Sequence, residues 1–258
     1  MQIKTNNFEL AIDTRGDEQA ENLALFLPGL LDSKDYAHIQ SHLDVLAQLG
    51  YFAISFDMPG TWESSGRLTD YTTTNCLQAV KDVMRHFGNR PTFLLGHSNG
   101  GRLTMLSGCN DSIIGYMSIM SAPTFIRKSN YQERAVDWKN NGFQVMERED
   151  PQDFDKMVRL ELPYSFCENA THYDAWESLN RCAVPKLFVA GTEDTTAYPE
   201  EVKLAYDNAA EPKRMEYVNS EHNYRNYPAK IEAVNKLIED FAQPLLATRK
   251  EAVTGNGF

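Results

Sequence analysis

The most informative stretch of the sequence is TFLLGHSNGGRLTML, residues 92–106. An apolar run of strand length comes first, then Gly96-His97-Ser98-Asn99-Gly100, then a segment that can form a helix. The glycines at both ends of the pentapeptide permit a tight turn from strand to helix, where larger side chains would clash with the crossing backbone. Such a turn lifts the Ser98 hydroxyl above the edge of a sheet, and the N-terminus of the following helix favours negative charge there. The stretch therefore predicts a strand, a sharp turn and a helix, with an exposed nucleophilic serine at the turn.

Short apolar runs recur on both sides of this stretch. Most are apolar throughout, which is typical of strands buried on both faces of a parallel sheet. Parallel neighbours need crossover connections, so we expect repeated strand–helix units. A different pattern opens the chain, where Phe8, Leu10 and Ile12 alternate with polar residues as in an antiparallel edge strand. The predicted buried strands are residues 23–27, 51–56, 92–95, 113–120, 186–190 and 215–218.

Three segments between these runs have apolar residues at helical spacing. They are residues 36–49, 76–87 and 231–241. Asp32 and Ser33 are candidate N-caps of the first helix, and Gly50 is expected to end it. Strands and helices together predict an α/β fold with a mostly parallel central sheet and helices on both faces.

One long segment departs from this alternation. Residues 124–183 contain no clean strand, have a helical pattern and are rich in aromatic residues. A connection of this length between two strands needs a structure of its own. We interpret it as a helical cap, or lid, inserted into a core domain formed by residues 1–123 and 184–258. Trp138 and Trp176 are candidate substrate-binding residues in the roof of an apolar pocket, although any single ring in such a cap is more often packing.

A serine nucleophile needs a base and an acid that orients the base. In this architecture both come from loops at the carboxyl ends of later strands. Two histidines follow Ser98, namely His172 inside the predicted cap and His222 directly after the last predicted strand. The position of His222 favours it as the base. Asp194 follows the preceding strand and is predicted to orient the imidazole, in preference to its neighbour Glu193.

Composition and charge exclude several classes of function. The chain has 258 residues, a balance of 42% hydrophobic and 24% charged residues, and a formal net charge of −11. A nucleic-acid-binding domain needs a basic face, so this charge argues against nucleic acid as a partner. The four cysteines have no metal-ligand spacing, and we expect buried thiols and no metal. Neither a signal peptide nor a membrane-spanning stretch is recognisable, so we expect a cytoplasmic protein.

The order Ser98, Asp194, His222 resembles that of α/β-hydrolase-fold serine hydrolases, in the lipase, esterase and serine-aminopeptidase-like branch. The resemblance covers residues 22–241 and includes Leu27-Pro28-Gly29-Leu30 after the third strand and Asp57-Met58-Pro59-Gly60 after the fourth. It implies an α/β-hydrolase fold, no cofactor, and an oxyanion hole made by the backbone N–H groups of Leu30 and Asn99.

The chain departs from that family pattern at two places. Leu27 and Pro28 replace the commoner His-Gly start of the loop after the third strand, a change that preserves the backbone donor. Trp62 lies where relatives often have an Arg-Gly-x-Gly run. It is a candidate wall of the substrate pocket, and packing is an equally good interpretation.

These expectations combine into one reaction on a small-molecule partner. Ser98 attacks the carbonyl of a small or medium ester, His222 takes and later returns the proton, Asp194 holds the imidazole, and water cleaves the acyl-enzyme. An aminopeptidase-like amide hydrolase would use the same triad with an acidic anchor for the substrate amine, and a thioesterase or acyltransferase would differ in the acceptor. A non-catalytic binding module is the alternative from another class, and an intact triad disfavours it.

Overall fold

The described part of the chain forms a central sheet and a separate two-stranded hairpin. The computed structural model describes the backbone of residues 1–125 and 131–254, with side chains at 1–125 and 135–246. The strands of these residues are β1 (Gln2–Lys4), β2 (Glu9–Arg15), β3 (Leu23–Leu27), β4 (Phe52–Phe56), β5 (Thr92–His97), β6 (Ile113–Ile119), β7 (Phe143–Asp150), β8 (Asp153–Pro163), β9 (Lys186–Gly191) and β10 (Lys213–Val218).

The central sheet has eight strands in the order β1-β2-β4-β3-β5-β6-β9-β10. β2 pairs antiparallel with β1 and β4, and the remaining neighbours pair parallel. The mostly parallel sheet predicted from the sequence is confirmed. β3, β4, β5 and β9 are buried along their whole length, as their uninterrupted apolar runs require. The predicted edge strand, β2, is the second strand from the edge, because β1 pairs outside it and sets Ile3 opposite Leu10.

Helices cover both faces of the sheet. They are α1 (Ala37–Leu49), α2 (Thr73–His86), α3 (Asn99–Ser107), α4 (Tyr131–Asn141), α5 (Tyr164–Ala170), α6 (Trp176–Arg181), α7 (Pro199–Asn208) and α8 (Pro228–Thr254). Along β5, Phe93 and Leu95 belong to the core beneath α1 and α8, whereas Leu94 belongs to the core beneath α2 and α3. This alternation of period two buries both faces of the strand. None of the helices in the described residues is long and apolar enough to cross a membrane.

The two ends of α1 test the predicted caps differently. The prediction of an N-cap at Asp32 or Ser33 is wrong, because the helix begins after Tyr36 without a side-chain cap. Ser33 Oγ instead donates to a carboxylate oxygen of Asp57 at 3.3 Å, and Asp32 binds arginine side chains, which are stronger partners than neutral backbone N–H groups. The predicted end is confirmed, since Gly50 follows α1 with φ 100°, a conformation that favours glycine.

Between β6 and β9 the chain leaves the sheet and forms α4, the antiparallel hairpin β7–β8, α5 and α6. The prediction that residues 124–183 contain no strand is therefore wrong. Along β7, Gln144, Met146 and Arg148 are half-buried, whereas the intervening residues toward its start are exposed. Because only one face of the hairpin packs on the protein, charged residues occupy much of the other and hide the strand pattern.

Residues 126–130 of the predicted cap lie outside the described residues. The division into a core, 1–123 and 184–258, and a cap, 124–183, stays a prediction.

Candidate active site

Ser98 lies at a sharp turn between β5 and α3. Its backbone has φ 53° and ψ −119°, a conformation that a non-glycine residue adopts only when its surroundings hold it there. A Cβ atom at Gly96 would lie 2.5 Å from the carbonyl carbon of Gly100, and one at Gly100 would overlap the carbonyl oxygen of Leu27. These close backbone contacts require glycine at both positions, as the sequence predicts. The turn places Ser98 at the carboxyl edge of the parallel strands.

The structure brings Ser98, His222 and Asp194 into one hydrogen-bonded chain. His222 Nε2 lies 2.9 Å from Ser98 Oγ, and His222 Nδ1 lies 2.8 Å from Asp194 Oδ2. Asp194 comes from the loop after β9 and His222 from the loop after β10. The two loops are joined by the Glu193 N–H, which donates to the carbonyl of Ser220 at 3.0 Å. The serine hydroxyl therefore has an imidazole partner, and the imidazole has a carboxylate behind it.

Asp194 determines which ring nitrogen of His222 carries a proton. Its Oδ1 accepts the N–H groups of Thr196 at 2.7 Å and Ala197 at 2.8 Å, which leaves Oδ2 for the imidazole. An ionised carboxylate only accepts, so Nδ1 donates and the Nε2 lone pair is free to accept from Ser98. Burial by itself raises the pKa of Asp194, but the hydrogen bond and charge of His222, with the two backbone N–H groups, hold that pKa below its ordinary value.

The two N–H groups implied for an oxyanion hole lie in the loop after β3 and at the start of α3. Asn99 is the first residue of α3, where N–H groups have no acceptor within the helix. Among the described residues, neither the N–H of Leu30 nor that of Asn99 has a hydrogen-bond acceptor. Both donors are therefore available to a ligand.

Tyr71 joins these two segments, and the sequence interpretation missed it. Its buried hydroxyl accepts the N–H of Leu31 at 3.3 Å and Asn99 Nδ2 at 3.2 Å. Arg102 fixes the orientation of that amide, because its guanidinium donates to Asn99 Oδ1 at 2.9 Å. A tyrosine before a predicted helix gives no signal for this contact, which depends on three separate segments packing together.

A buried charge cluster, also missed, lies beside the loop after β3. Arg225 Nη1 lies 2.6 Å from Asp32 Oδ1, and Arg225 Nη2 lies 3.0 Å from Glu149 Oε2. Arg148 Nε lies 3.5 Å from the same Asp32 oxygen. Burial by itself raises the pKa of Asp32, but the charges of Arg225 and Arg148, together with His97, hold that pKa well below its ordinary value. The cluster connects the loop after β3, the segment after β10 and the hairpin.

His97, which precedes the serine, also contacts the base. The His97 ring is buried, and its Nε2 lies 3.0 Å from the carbonyl oxygen of His222. Nε2 therefore donates to that carbonyl and helps to hold the loop in place. His172, the other histidine after Ser98, is exposed in the inserted segment.

Among the side chains that the structure describes, two groups have the close spacing of metal ligands. They are Asp32 with His38 and His97, and Asp35 with Asp57 and Glu63. In the first group, Arg148 and Arg225 already bind the carboxylate, and their positive charges oppose a cation. In the second group, Lys34 Nζ lies 2.6–3.5 Å from the three carboxylates and occupies the place of a cation.

The three tryptophans predicted at the substrate pocket lie in different environments. Trp62 Nε1 donates to the carbonyl of Leu31 at 3.0 Å, so its ring borders the loop after β3. Trp138 is 5% exposed, and its Nε1 donates to the carbonyl of Leu162 at 2.9 Å within the inserted segment. Trp176 is the half-buried first residue of α6. Trp62 is the one whose described contact reaches the loop that carries Leu30.

Comparisons with known proteins agree with this architecture. A family model described as alpha/beta hydrolase fold matches residues 23–108, which include both Leu30 and Ser98. A second model, described as PhoPQ-activated pathogenicity-related protein, matches residues 129–251. A curated relative, the lysophosphatidylserine lipase ABHD12 of Danio rerio, is 23% identical over 201 residues, which are 77% of this chain. The chain spans 50% of the length of that relative.

Solved structures are similar over nearly the whole chain. Est1E from Butyrivibrio proteoclasticus, with ferulic acid bound, has a TM-score of 0.76 at 18% identity and covers 96% of this chain and 99% of its own. Mouse alpha/beta hydrolase domain-containing protein 10 has a TM-score of 0.77 at 19% identity, covering 95% and 98% of the two chains. The monoacylglycerol lipase of Paleococcus ferrophilus has a TM-score of 0.71 at 19% identity, covering 92% and 99%.

The chain has the α/β-hydrolase fold, and the fold predicted from its motifs is confirmed.

Proposed function

We propose that the protein is a serine hydrolase that cleaves a small or medium carboxylic ester through an acyl-enzyme intermediate. The observation that carries this proposal is the chain of hydrogen bonds from Ser98 Oγ through both ring nitrogens of His222 to Asp194. Within these hydrogen bonds, the proton of His222 is on Nδ1, so Nε2 can take the proton of the Ser98 hydroxyl. A serine at a strained turn has little other reason to be paired in this way.

In the first half of the proposed reaction, Ser98 Oγ attacks the ester carbonyl carbon and its proton passes to His222 Nε2. The carbonyl oxygen becomes an oxyanion, which accepts the N–H groups of Leu30 and Asn99. Asp194 stays ionised and stabilises the imidazolium. When the tetrahedral intermediate collapses, the bond to the alkoxy oxygen breaks and Nε2 returns the proton to the departing alcohol.

The second half of the reaction repeats these steps with water. His222 Nε2, neutral again, takes a proton from a water molecule that attacks the acyl carbon. The second oxyanion uses the same two N–H groups, and its collapse returns the proton to Ser98 Oγ. The free acid leaves and the resting hydrogen bonds are restored.

An ester is preferred over an amide because of the charges beside the site. An aminopeptidase-like enzyme would need a free carboxylate to hold the substrate amine. Asp32 and Glu149 are the acidic side chains of the buried cluster beside the loop, and both are already paired with Arg225. The lipase and esterase names of the similar proteins support the same choice.

Replacement of the serine tests the proposal. Ser98→Ala should retain the fold and lower turnover of p-nitrophenyl acetate, butyrate and octanoate by about 10⁴-fold or more, as expected for loss of a triad nucleophile. Ser107→Ala, at the far end of α3, is the matched control and should keep wild-type activity. Near-wild-type esterase activity in Ser98→Ala would reject the proposal. If aminoacyl p-nitroanilides are cleaved faster than all three esters, the substrate is an amide and not an ester.

A further inference from the structure

Arg148 reaches from β7 of the hairpin to the loop after β3. Its Nη2 and Nε lie 2.7 Å and 3.1 Å from the carbonyl oxygen of Leu30. Two N–H groups of one guanidinium thus donate to one oxygen, an arrangement that depends on the planar fork of arginine. The Arg148 side chain is 17% exposed, so both hydrogen bonds are largely shielded from water. The contact joins residues 118 positions apart in the chain.

The peptide unit between Leu30 and Leu31 is held from both sides. Arg148 binds its oxygen, and its N–H donates to the Tyr71 hydroxyl at 3.3 Å. Leu31 has φ 57°, a left-handed conformation that disfavours a leucine by about 1–2 kcal/mol. The loop therefore relies on contacts from outside to keep this conformation.

The orientation of this peptide unit governs that of the preceding N–H. Leu30 contributes its N–H to the proposed oxyanion hole and its carbonyl to the contact with Arg148. Both groups are attached to the same Cα atom. If the carbonyl is released and the peptide unit rotates, the backbone of Leu30 shifts and its N–H turns away from the substrate oxygen.

The charge cluster holds the guanidinium in place. Arg148 Nε lies 3.5 Å from Asp32 Oδ1, and Asp32 follows Leu30 by two residues. Arg225 binds the same carboxylate at 2.6 Å and also binds Glu149, the residue next to Arg148. The two carboxylates balance the two guanidinium groups, so Arg148 is neutralised without being drawn off the carbonyl of Leu30.

We propose that Arg148 is a positioning residue for the oxyanion hole, so that the inserted hairpin, and not the core alone, completes the site. Arg148 touches no reacting atom in this proposal. It acts through the backbone of Leu30, whose N–H it keeps aimed at the substrate carbonyl oxygen. The inference rests on the proposed function of Ser98 and extends it to a residue of the hairpin.

The test compares Arg148→Met and Arg148→Lys with wild type on p-nitrophenyl acetate. Removing one oxyanion-hole donor lowers kcat about 10²–10³-fold, and a donor that is misdirected but still present should lose about 10–100-fold. KM should change less than about threefold, because the contact acts on the transition state more than on bound substrate. Lysine keeps the charge but not the fork, so Arg148→Lys should recover only part of the loss.

A transition-state analogue separates positioning from simple loss of folded protein. Phenylboronic acid forms a tetrahedral adduct with a serine nucleophile, and its affinity for Arg148→Met should fall by about the same factor as kcat/KM. All rates are divided by the amount of Ser98 that a fluorophosphonate titrates. Arg159→Met is the matched control, because Arg159 lies on β8 of the same hairpin with a 62% exposed side chain paired to Glu161.

The outcomes are distinguishable. A per-site loss in Arg148→Met, parallel weakening of the boronate and wild-type behaviour of Arg159→Met support the inference. Equal activity per titrated Ser98 in wild type and both Arg148 variants overturns it, whether or not the melting temperature falls, and leaves the proposed function intact. Failure of wild type to react with the fluorophosphonate at Ser98 overturns the proposed function itself, and this inference with it.

Discussion

Replacing Asp194 by asparagine should reverse the tautomer of His222. The Asp194 Oδ1 position accepts two backbone N–H groups, those of Thr196 at 2.7 Å and Ala197 at 2.8 Å. In Asp194→Asn, the amide oxygen must stay at this position, because an NH₂ group there would face two donors. The amide nitrogen therefore faces His222 Nδ1, where the carboxylate oxygen lies 2.8 Å away in the native protein.

The expected loss of kcat follows from this orientation of the side-chain amide in the Asp194→Asn variant. The amide NH₂ donates to Nδ1, so the imidazole proton moves to Nε2, which lies 2.9 Å from Ser98 Oγ. Nε2 then has no lone pair for the hydroxyl proton. The corresponding replacement in a Ser-His-Asp protease lowers kcat about 10⁴-fold through the wrong tautomer, and we expect a loss of the same order here.

The assay is the steady-state hydrolysis of p-nitrophenyl acetate near neutral pH. Glu193→Gln is the matched control, because Glu193 is the exposed neighbour of Asp194 and its replacement also removes one carboxylate. The control should keep wild-type kcat, and both variants should keep the wild-type circular dichroism spectrum. If Asp194→Asn retains activity within about tenfold of wild type, the assignment of the acid is wrong.

Three further predictions concern His222, Trp138 in the inserted segment and the buried His42. His222→Gln should abolish esterase activity, whereas His172→Gln should preserve it, because His172 is exposed in the inserted segment; steady-state kinetics of the two variants decide this. Trp138→Ala should lower the free energy of unfolding by about 3–5 kcal/mol, because the ring is buried. Hydrolysis of acetate, butyrate and octanoate esters should fall by the same factor. A change confined to the octanoate ester would contradict this prediction. Burial, with the nearby charge of His97, lowers the pKa of His42 to about 4 from 6.5. The unfolded chain therefore takes up this proton first, and stability should fall as pH drops from about 6.5 towards 4. His42→Gln should flatten that dependence in urea titrations, and an unchanged slope would refute it.

The parts of the site that are predictable from sequence are those that local rules and topology place. Gly96 and Gly100 mark the turn at Ser98, because side chains there would meet the backbone of a neighbouring strand or helix. Asp194 and His222 follow apolar runs, and parallel strands bring their carboxyl ends to one edge of the sheet. The order of residues along the chain is enough to predict this convergence.

The residues that support the site are not predictable in this way. Asp32 has the position of a helix cap in the sequence, yet its carboxylate binds Arg225, which is 193 residues further along the chain. Tyr71 and Arg148 reach the loop after β3 from other segments. Such contacts depend on how separate segments pack, and no periodicity or motif in the sequence predicts them.

The sequence prediction missed the hairpin for a different reason. Its strands are covered on one face only, so half of their residues are exposed and several are charged. An apolar run, the signal that reveals β3 or β5, requires burial on both faces. The weak alternation of Gln144, Met146 and Arg148 is the pattern that marks this strand, and it is easily taken for a solvated helix.

Covalent labelling of the native protein determines whether Ser98 is an activated nucleophile. A fluorophosphonate forms a stable adduct with a serine that is activated by a base, and peptide mass spectrometry locates the adduct. We expect a single adduct on Ser98, absent from Ser98→Ala and formed far more slowly in His222→Gln. An adduct on another residue, or no adduct in a preparation that hydrolyses p-nitrophenyl esters, would contradict it.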